Sequence, residues 1–510
     1  MEFPRLHAVA ALLLVVAGSC RIVATHRVFN HTIDEPDNLA AGMEYLSTGK
    51  YRYEDTHPPL ARVLAAIGPY LAGERFHPGP DAYGEGYRIL GHGAHYDRVL
   101  ALGRAGILPF FWIASLVVFL WGLRAGGPAA ALVATALFTT IPPVLAHAGV
   151  ITTDAALCAL TGAAALASLY WADLPNARRG ILFGAVLGLA AISKFSALVF
   201  LPAAWLLMSV CHLAAARQGP AWLAREAWRR RGPLALVLAT AGLVVWAAYG
   251  FSFARVDFLH ARLPAPRFFS GIHAVWAHNR AGHSSFLLGS RSPDGFWYYF
   301  PVVLGIKTPL ALGLLLCLAV AQAWRAVRIP LAFSAGILLV SMTGRIDIGV
   351  RFVLPVYIGV AVACGIAASA ARGWPARSAV VLLLAWQVIS GVMQHPDYLA
   401  YTNEIAGSHP ERFVADSDLD WGQDMKRLGA FLAQAGCSHL TFTPFNRTYA
   451  LAGHAMPATS PSDPDRPSPG WNAVSITMWK VFGDPAWPGR IEPQKRIGRS
   501  ILLWYFPETH

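Results

Sequence analysis

Apolar runs long enough to cross a bilayer, joined by short arginine-bearing connections, govern what this chain can fold into. A helix needs about 20 apolar residues to span ~30 Å of hydrocarbon. About eleven apolar segments follow one another, at 6–29, 100–123, 128–148, 155–171, 180–192, 197–213, 233–251, 301–321, 329–342, 352–371 and 379–393, with 329–342 short enough to break rather than cross straight. Only 30–97, 252–299 and everything from 394 onward are polar over long stretches. Charged residues make up 14% of the 510-residue chain, where soluble domains carry about a quarter. The expected fold class is a polytopic α-helical membrane protein with about 11 transmembrane helices and a small extracytoplasmic α/β C-terminal domain. Residues 1–393 form the expected transmembrane domain, with extracytoplasmic loops at 30–97 and 252–299, and residues 394–510 the soluble domain.

The net charge of +12 does not indicate nucleic acid, because the arginines concentrate between apolar segments. With the N-terminus inside, Arg124, Arg178 and Arg179, the stretch from Arg217 to Arg231, Arg325 and Arg328, and Arg372 and Arg377 are all cytoplasmic. The carboxylates sort the other way: of 29 acidic residues, only Glu2, Asp173 and Glu226 fall inside. Acidic residues contribute little to insertion, so this asymmetry points to function on the outer face. The first apolar run, ending at Cys20, has the outline of a secretory signal. Ala17 stands where a lipoprotein cleavage site wants a larger aliphatic residue, and the run is read as an uncleaved span. Six scattered cysteines without CxxC spacing indicate neither a disulfide framework nor a zinc site.

Candidate chemistry lies at the outer ends of the spans. Asp34 and Glu35 follow the first span, where low-dielectric surroundings suit a general base. Capping of a helix ahead of Pro36 is the alternative. A second acidic pair, Glu54 and Asp55, precedes the stiff turn His57-Pro58-Pro59, and an amphipathic segment at 62–71 is expected along the interface. Four cations on the outer side run against the positive-inside trend: Lys194, Lys307, Arg345 and Arg351. They either snorkel to headgroups or cage a phosphate. A base and a cationic cluster on one membrane face are the parts that transfer from a lipid phosphate requires. Asp416, Asp418 and Asp420 open with calcium-loop spacing, but Trp421 stands where glycine is needed and Arg427 where glutamate should close it.

These residues carry a resemblance. Asp34-Glu35 followed by His57-Pro58-Pro59-Leu60 resembles glycosyltransferase family 39, the dolichyl-phosphate-mannose protein mannosyltransferases of the GT-C superfamily. Similar in turn to a bacterial branch of that family are Thr153-Asp154-Ala155, Ser193-Lys194-Phe195, Gly295 to Pro301, Lys307-Thr308-Pro309, Ile348 to Arg351 and Asp416 to Asp424. The resemblance implies an inverting hexosyltransferase of the bacterial inner membrane, moving sugar from a polyprenyl-phosphate donor to a hydroxyl of a protein or glycolipid acceptor. It implies Asp34 as the base and Glu35 as its positioning neighbour. Lys194, Arg345, Arg351, Lys307 and His57 would bind the donor phosphate, with shaping of the loop the alternative for His57. Asp154 would position substrate, with capping of its own helix the alternative. Glu54 and Asp55 are candidates for positioning the acceptor, with solvation of the loop the alternative. No cofactor is firmly implied; a divalent metal stays open, and no residue is assigned as its ligand. A close alternative within the superfamily modifies a lipid or glycan rather than protein, as the lipid A aminoarabinose transferases do; those favour lysine where this chain has His57. A lipid-linked sugar transporter is the alternative outside the enzymes, and it requires ionisable residues at mid-membrane depth.

Overall fold

The computed structural model describes residues 2–79, 81–445 and 456–507. Among them, seven helices are long and apolar enough to cross a membrane: Leu6–Thr25, Gly93–Phe138, Asp154–Asp173, Ala197–Ala216, Arg231–Ala248, Leu310–Ser341 and Trp374–Met393. Two of these each hold two of the expected spans. The first breaks at Gly127 (φ 82°, ψ −174°), just before Pro128. A Cβ on Gly122 would stand 2.8 Å from the Ala131 Cα, so the two arms fold against each other. The second breaks at Ala323 (φ −130°, ψ 20°). Lys307 before it and Val350 after it both bond to Asp418, so its two ends return to one place.

The remaining two expected spans are the short helices Ala177–Ala191 and Val356–Ser369, of 15 and 14 residues. Each is shorter than the ~20 residues of a straight crossing. The third expected span also ends early, at Phe138, and the short helix Pro142–His147 follows.

The loop after the first helix, α1 (Glu2–Thr25), is itself folded into α2 (Glu35–Thr48), α3 (Pro59–Leu71) and α4 (Ala82–Leu90). Pro36 and Pro59 start two of these with φ already set for a helix. Gly49 ends α2 in the left-handed region at φ 66°. Asp81 caps α4, its side chain accepting from the Gly84 N–H at 2.6 Å. The three helices touch through bare backbone. A Cβ on Gly42 of α2 would lie 2.1 Å from the Arg62 carbonyl oxygen, and one on Gly86 of α4 would lie 2.1 Å from that of Pro36. The amphipathic segment is helical as expected. Its first residue, Arg62, is buried among carboxylates rather than lying at an interface, because Asp37 and Glu54 pair with it.

The second loop holds two small hairpins, β1 (Phe253–Val256) with β2 (Ala261–Pro264) and β3 (Ser285–Leu287) with β4 (Ser290–Ser292). Helix Pro266–Ala281 runs between them. The C-terminal part builds one mixed sheet from β5 (His439–Thr443), β6 (Ala458–Ser460), β7 (Gly470–Ser475), β8 (Lys495–Ile497) and β9 (Ile501–Phe506), in the order β6-β5-β7-β9-β8. Alternation along β9 sends Ile501 and Leu503 to the face covered by helix Met425–Gln434, and Leu502 and Trp504 to the face packed on Trp487.

Gly42→Ala is expected to force α2 off α3 and cost about 1–3 kcal/mol. Thermal unfolding in detergent checks this, with Gly242→Ala, which meets no atom within 4 Å, as the neutral control.

Candidate active site

Four loop segments distant in sequence bring their charged side chains to one point. Asp34 sits at the N-terminus of α2, Asp154 opens its helix, Lys194 lies in the turn 193–196, and Arg351 lies in the short helical turn Val350–Val353. The Lys194 ammonium donates to Asp154 Oδ1 at 2.5 Å. Arg351 donates to Asp34 Oδ2 at 2.7 Å and lies 3.7 Å from Asp154 Oδ2. The result is an alternating row of two carboxylates and two cations. Aromatic rings hold the cations: Arg351 lies 4.2 Å over Trp421, and Lys194 lies 4.0 Å over Phe352. Burial pushes the Lys194 ammonium below its ordinary range, with Asp154 opposing it. Burial also works against the Arg351 charge, but Asp34 and Asp154 more than offset it and raise the guanidinium. Asp154 Oδ2 and Arg351 Nε have no hydrogen-bond partner, so the row can take further polar groups.

A second cluster adjoins the first. Arg62 contacts Glu54 at 2.5 Å, Asp37 at 3.1 Å and the Tyr51 hydroxyl at 3.1 Å. His57 stands 3.6 Å from Glu54, and burial lowers its pKa. Burial raises the Glu54 carboxyl, but Arg62 and His57 outweigh it and hold the group low. Asp37, one helical turn from Asp34, is pushed up to about 6 by burial, with Arg62 opposing. Asp55 pairs with Arg267 at 2.8 Å and joins the first loop to the helix of the second.

Three expected site residues stand elsewhere. Glu35 turns away from Asp34 and is fully buried, taking both forks of Arg104 at 2.8 Å. It also accepts from the N–H groups of Thr32 and Ile151. With both oxygens used inside the protein it anchors the loop and does not face a substrate. Lys307 donates to the carbonyls of Leu399 and Asp418 and is buried, so it serves the interface with the C-terminal segment rather than an anion. Arg345 is exposed and lies 3.6 Å from Asp294, outside the row.

Asp416 was not assigned to the site by sequence, yet it approaches it. Its carboxyl feels Arg351 and Asp34, and burial pushes it up to about 7. Asp418 accepts from the Val350 N–H and the Tyr299 hydroxyl, and Asp420 from Ser475 and the Thr477 N–H. The three aspartates therefore diverge. Among the described residues no group of three or more His, Cys, Asp or Glu is placed to hold a metal ion. One signal for the missed residues was present: Arg104 is a lone cation within an expected span, where an unpaired charge is costly.

No protein-family model matches the sequence, and no curated protein resembles it closely enough to count as a match. Solved structures do match. ArnT from Cupriavidus metallidurans bound to undecaprenyl phosphate aligns over 96% of this chain and 97% of that one, at a TM-score of 0.54 and 13% identity. The chain shares the fold of this ArnT. The same ArnT in the apo state aligns over 97% and 98%, at 0.50 and 13% identity. Seven long apolar helices make this an integral membrane protein, and the charged row lies where loops between its helices meet.

The Asp416 shift has a measurable sign. A carboxyl raised from 3.8 to about 7 contributes stability that is complete below pH 4 and lost as pH rises through 7. Asp416→Asn mimics the protonated form, and asparagine tolerates the left-handed φ of 54° at this position. Melting temperature followed from pH 4 to 8 should fall less steeply in the variant than in the parent.

Proposed function

We propose that this protein is an inverting glycosyltransferase that moves a sugar from a polyprenyl-phosphate donor to a hydroxyl acceptor on the outer face of the membrane. The observation that carries the reading is the contact of Asp34 with Arg351 beside Asp154 and Lys194, within a GT-C fold. A phosphate needs cations in a site of low dielectric, and a nucleophilic hydroxyl needs a base beside them. The ArnT structure carrying undecaprenyl phosphate supports the same donor class here.

In the proposed step the acceptor oxygen attacks the anomeric carbon and its proton passes to Asp34. The carbon–oxygen bond to the phosphate breaks, and the electron pair leaves on the lipid phosphate. Direct displacement inverts the anomeric configuration. Arg351 and Lys194 stabilise the phosphate as charge builds on it, and Asp154 holds both cations in place. Polyprenyl phosphate is already a good leaving group, so no strong general acid is needed. Asp37, Glu54, Asp55, Arg62 and His57 shape the wall beside the base. The transporter alternative fits less well, because the paired charges sit at helix ends and in turns rather than at mid-helix.

Asp34→Asn is expected to reduce transfer by about 10²–10⁴-fold while the protein stays folded and still binds undecaprenyl phosphate. Mass spectrometry of glycoproteins and glycolipids reads this in cells carrying the parent gene, the variant gene or neither. Near-normal product from the variant removes Asp34 from the mechanism. Arg351→Ala should weaken binding of undecaprenyl phosphate about tenfold or more. Arg230→Ala, which breaks a pair with Glu226 among the clustered arginines, should leave it unchanged. Equal effects on binding would argue against a phosphate cage.

A further inference from the structure

The C-terminal part contains a cavity of about 310 Å³ that the charged row does not use. Its walls include Glu411, Arg412, Trp479, Lys480, Arg490 and Glu492. Among the described residues, no carboxylate lies within ion-pair distance of Arg412, Lys480 or Arg490. Glu411 instead pairs with Arg496 at 3.0 Å and lies 3.2 Å from His409. The Lys480 ammonium is held 3.7 Å over the Trp479 ring. Burial and the nearby Arg291 and Arg412 lower its pKa against the pull of Glu411. Three cations share one hollow in which Glu411 is already engaged by Arg496, and an anionic ligand there would draw on all three.

The cavity is too large for a bare anion, since a water takes about 30 Å³ of liquid volume and small-ligand sites begin near ~300 Å³. Five of the twelve lining residues are charged, which suits a polar ligand. Glu411 is 5% exposed, and its Oε2 has no hydrogen-bond partner. A buried carboxylate oxygen left without a donor is costly, and a ligand hydroxyl would satisfy it.

We propose that this cavity binds an anionic saccharide, its phosphate or carboxylate group held by Arg412, Lys480 and Arg490 and its hydroxyls donating to Glu411 and Glu492. Arg412 lies four residues before Asp416, whose carboxyl feels the Arg351 charge, so the cavity wall and the charged row share one loop. A role in docking the acceptor rests on the glycosyltransferase reading above. The binding site itself does not, and its test requires no turnover.

The test is saturation-transfer NMR on the full chain in detergent, titrated with glucose 1-phosphate, glucuronate, glucose and inorganic phosphate. Glucose 1-phosphate, glucuronate or both should receive saturation, and glucose should not. Inorganic phosphate should displace the bound sugar only weakly. The double variant Arg412→Ala/Lys480→Met should bind about tenfold more weakly or worse. Lys480→Arg, which keeps the charge, should retain binding and shows that the site survives substitution. Arg351→Ala should also retain it. The proposal is overturned if neither anionic sugar binds the parent chain, or if the double variant binds equally well. Loss of signal in Arg351→Ala alone would overturn it too, placing the sugar in the membrane-facing row. Inorganic phosphate binding as tightly as glucose 1-phosphate would reduce the cavity to an anion hole and overturn the saccharide assignment.

Discussion

The buried pair of Glu35 and Arg104 is the interaction on which the geometry of the charged row depends. Removing two charges from water costs several kcal/mol per ion, and a pair offsets this only when every polar atom is matched. Here the match is close: two parallel hydrogen bonds at 2.8 Å, the N–H groups of Thr32 and Ile151 on the carboxylate, and the carbonyls of Phe29 and Asn30 on the guanidinium. The pair contributes placement more than stability. It fixes the residue next to Asp34 and, through Ile151, the turn that leads into Asp154. These two carboxylates thereby come close enough for one guanidinium to reach both.

With that spacing set, the remaining charges have little freedom. Arg351 lies between two acids, Lys194 pairs with the second, and Trp421 and Phe352 limit how far either cation can swing. An incoming phosphate must compete with carboxylates for the same donors. In the proposed reaction that competition is useful, because an anion that draws Arg351 toward itself loosens its hold on Asp34. Asp416, raised to about 7, adds no full negative charge to the row at neutral pH, so the cations are not overwhelmed by acids.

Much of this was legible in the sequence because membranes restrict the options. The apolar segments are helical in the structure, and the polar stretch after 394 builds the mixed sheet of an α/β unit. The motif residues Asp34, Asp154, Lys194 and Arg351 do converge, as their common position at helix ends suggested. The failures have physical reasons. Glu35 and Lys307 read as site residues because a charge beside a span looks functional, whereas each has its partner in a segment far away in the chain. Hydropathy treats Gly127 and Ala323 as parts of linkers, although the helices continue up to both breaks. Arg62 followed the pattern of an interfacial helix, and only the fold of the first loop brings Asp37 and Glu54 around it.

The clamp between Asp418 and the bundle bears on the order in which the protein is made. The turn carrying Arg351 is held by the Val350 N–H on Asp418 and by Ser417 on the Ile348 carbonyl, and Lys307 is held by the Asp418 carbonyl. All of these contacts come from residues synthesised after the last long apolar helix. A ribosome-bound chain whose helices are already inserted therefore still lacks the support for its guanidinium. Assembly of the charged row is a late event in biogenesis, completed when the tail docks on helices that have preceded it into the bilayer.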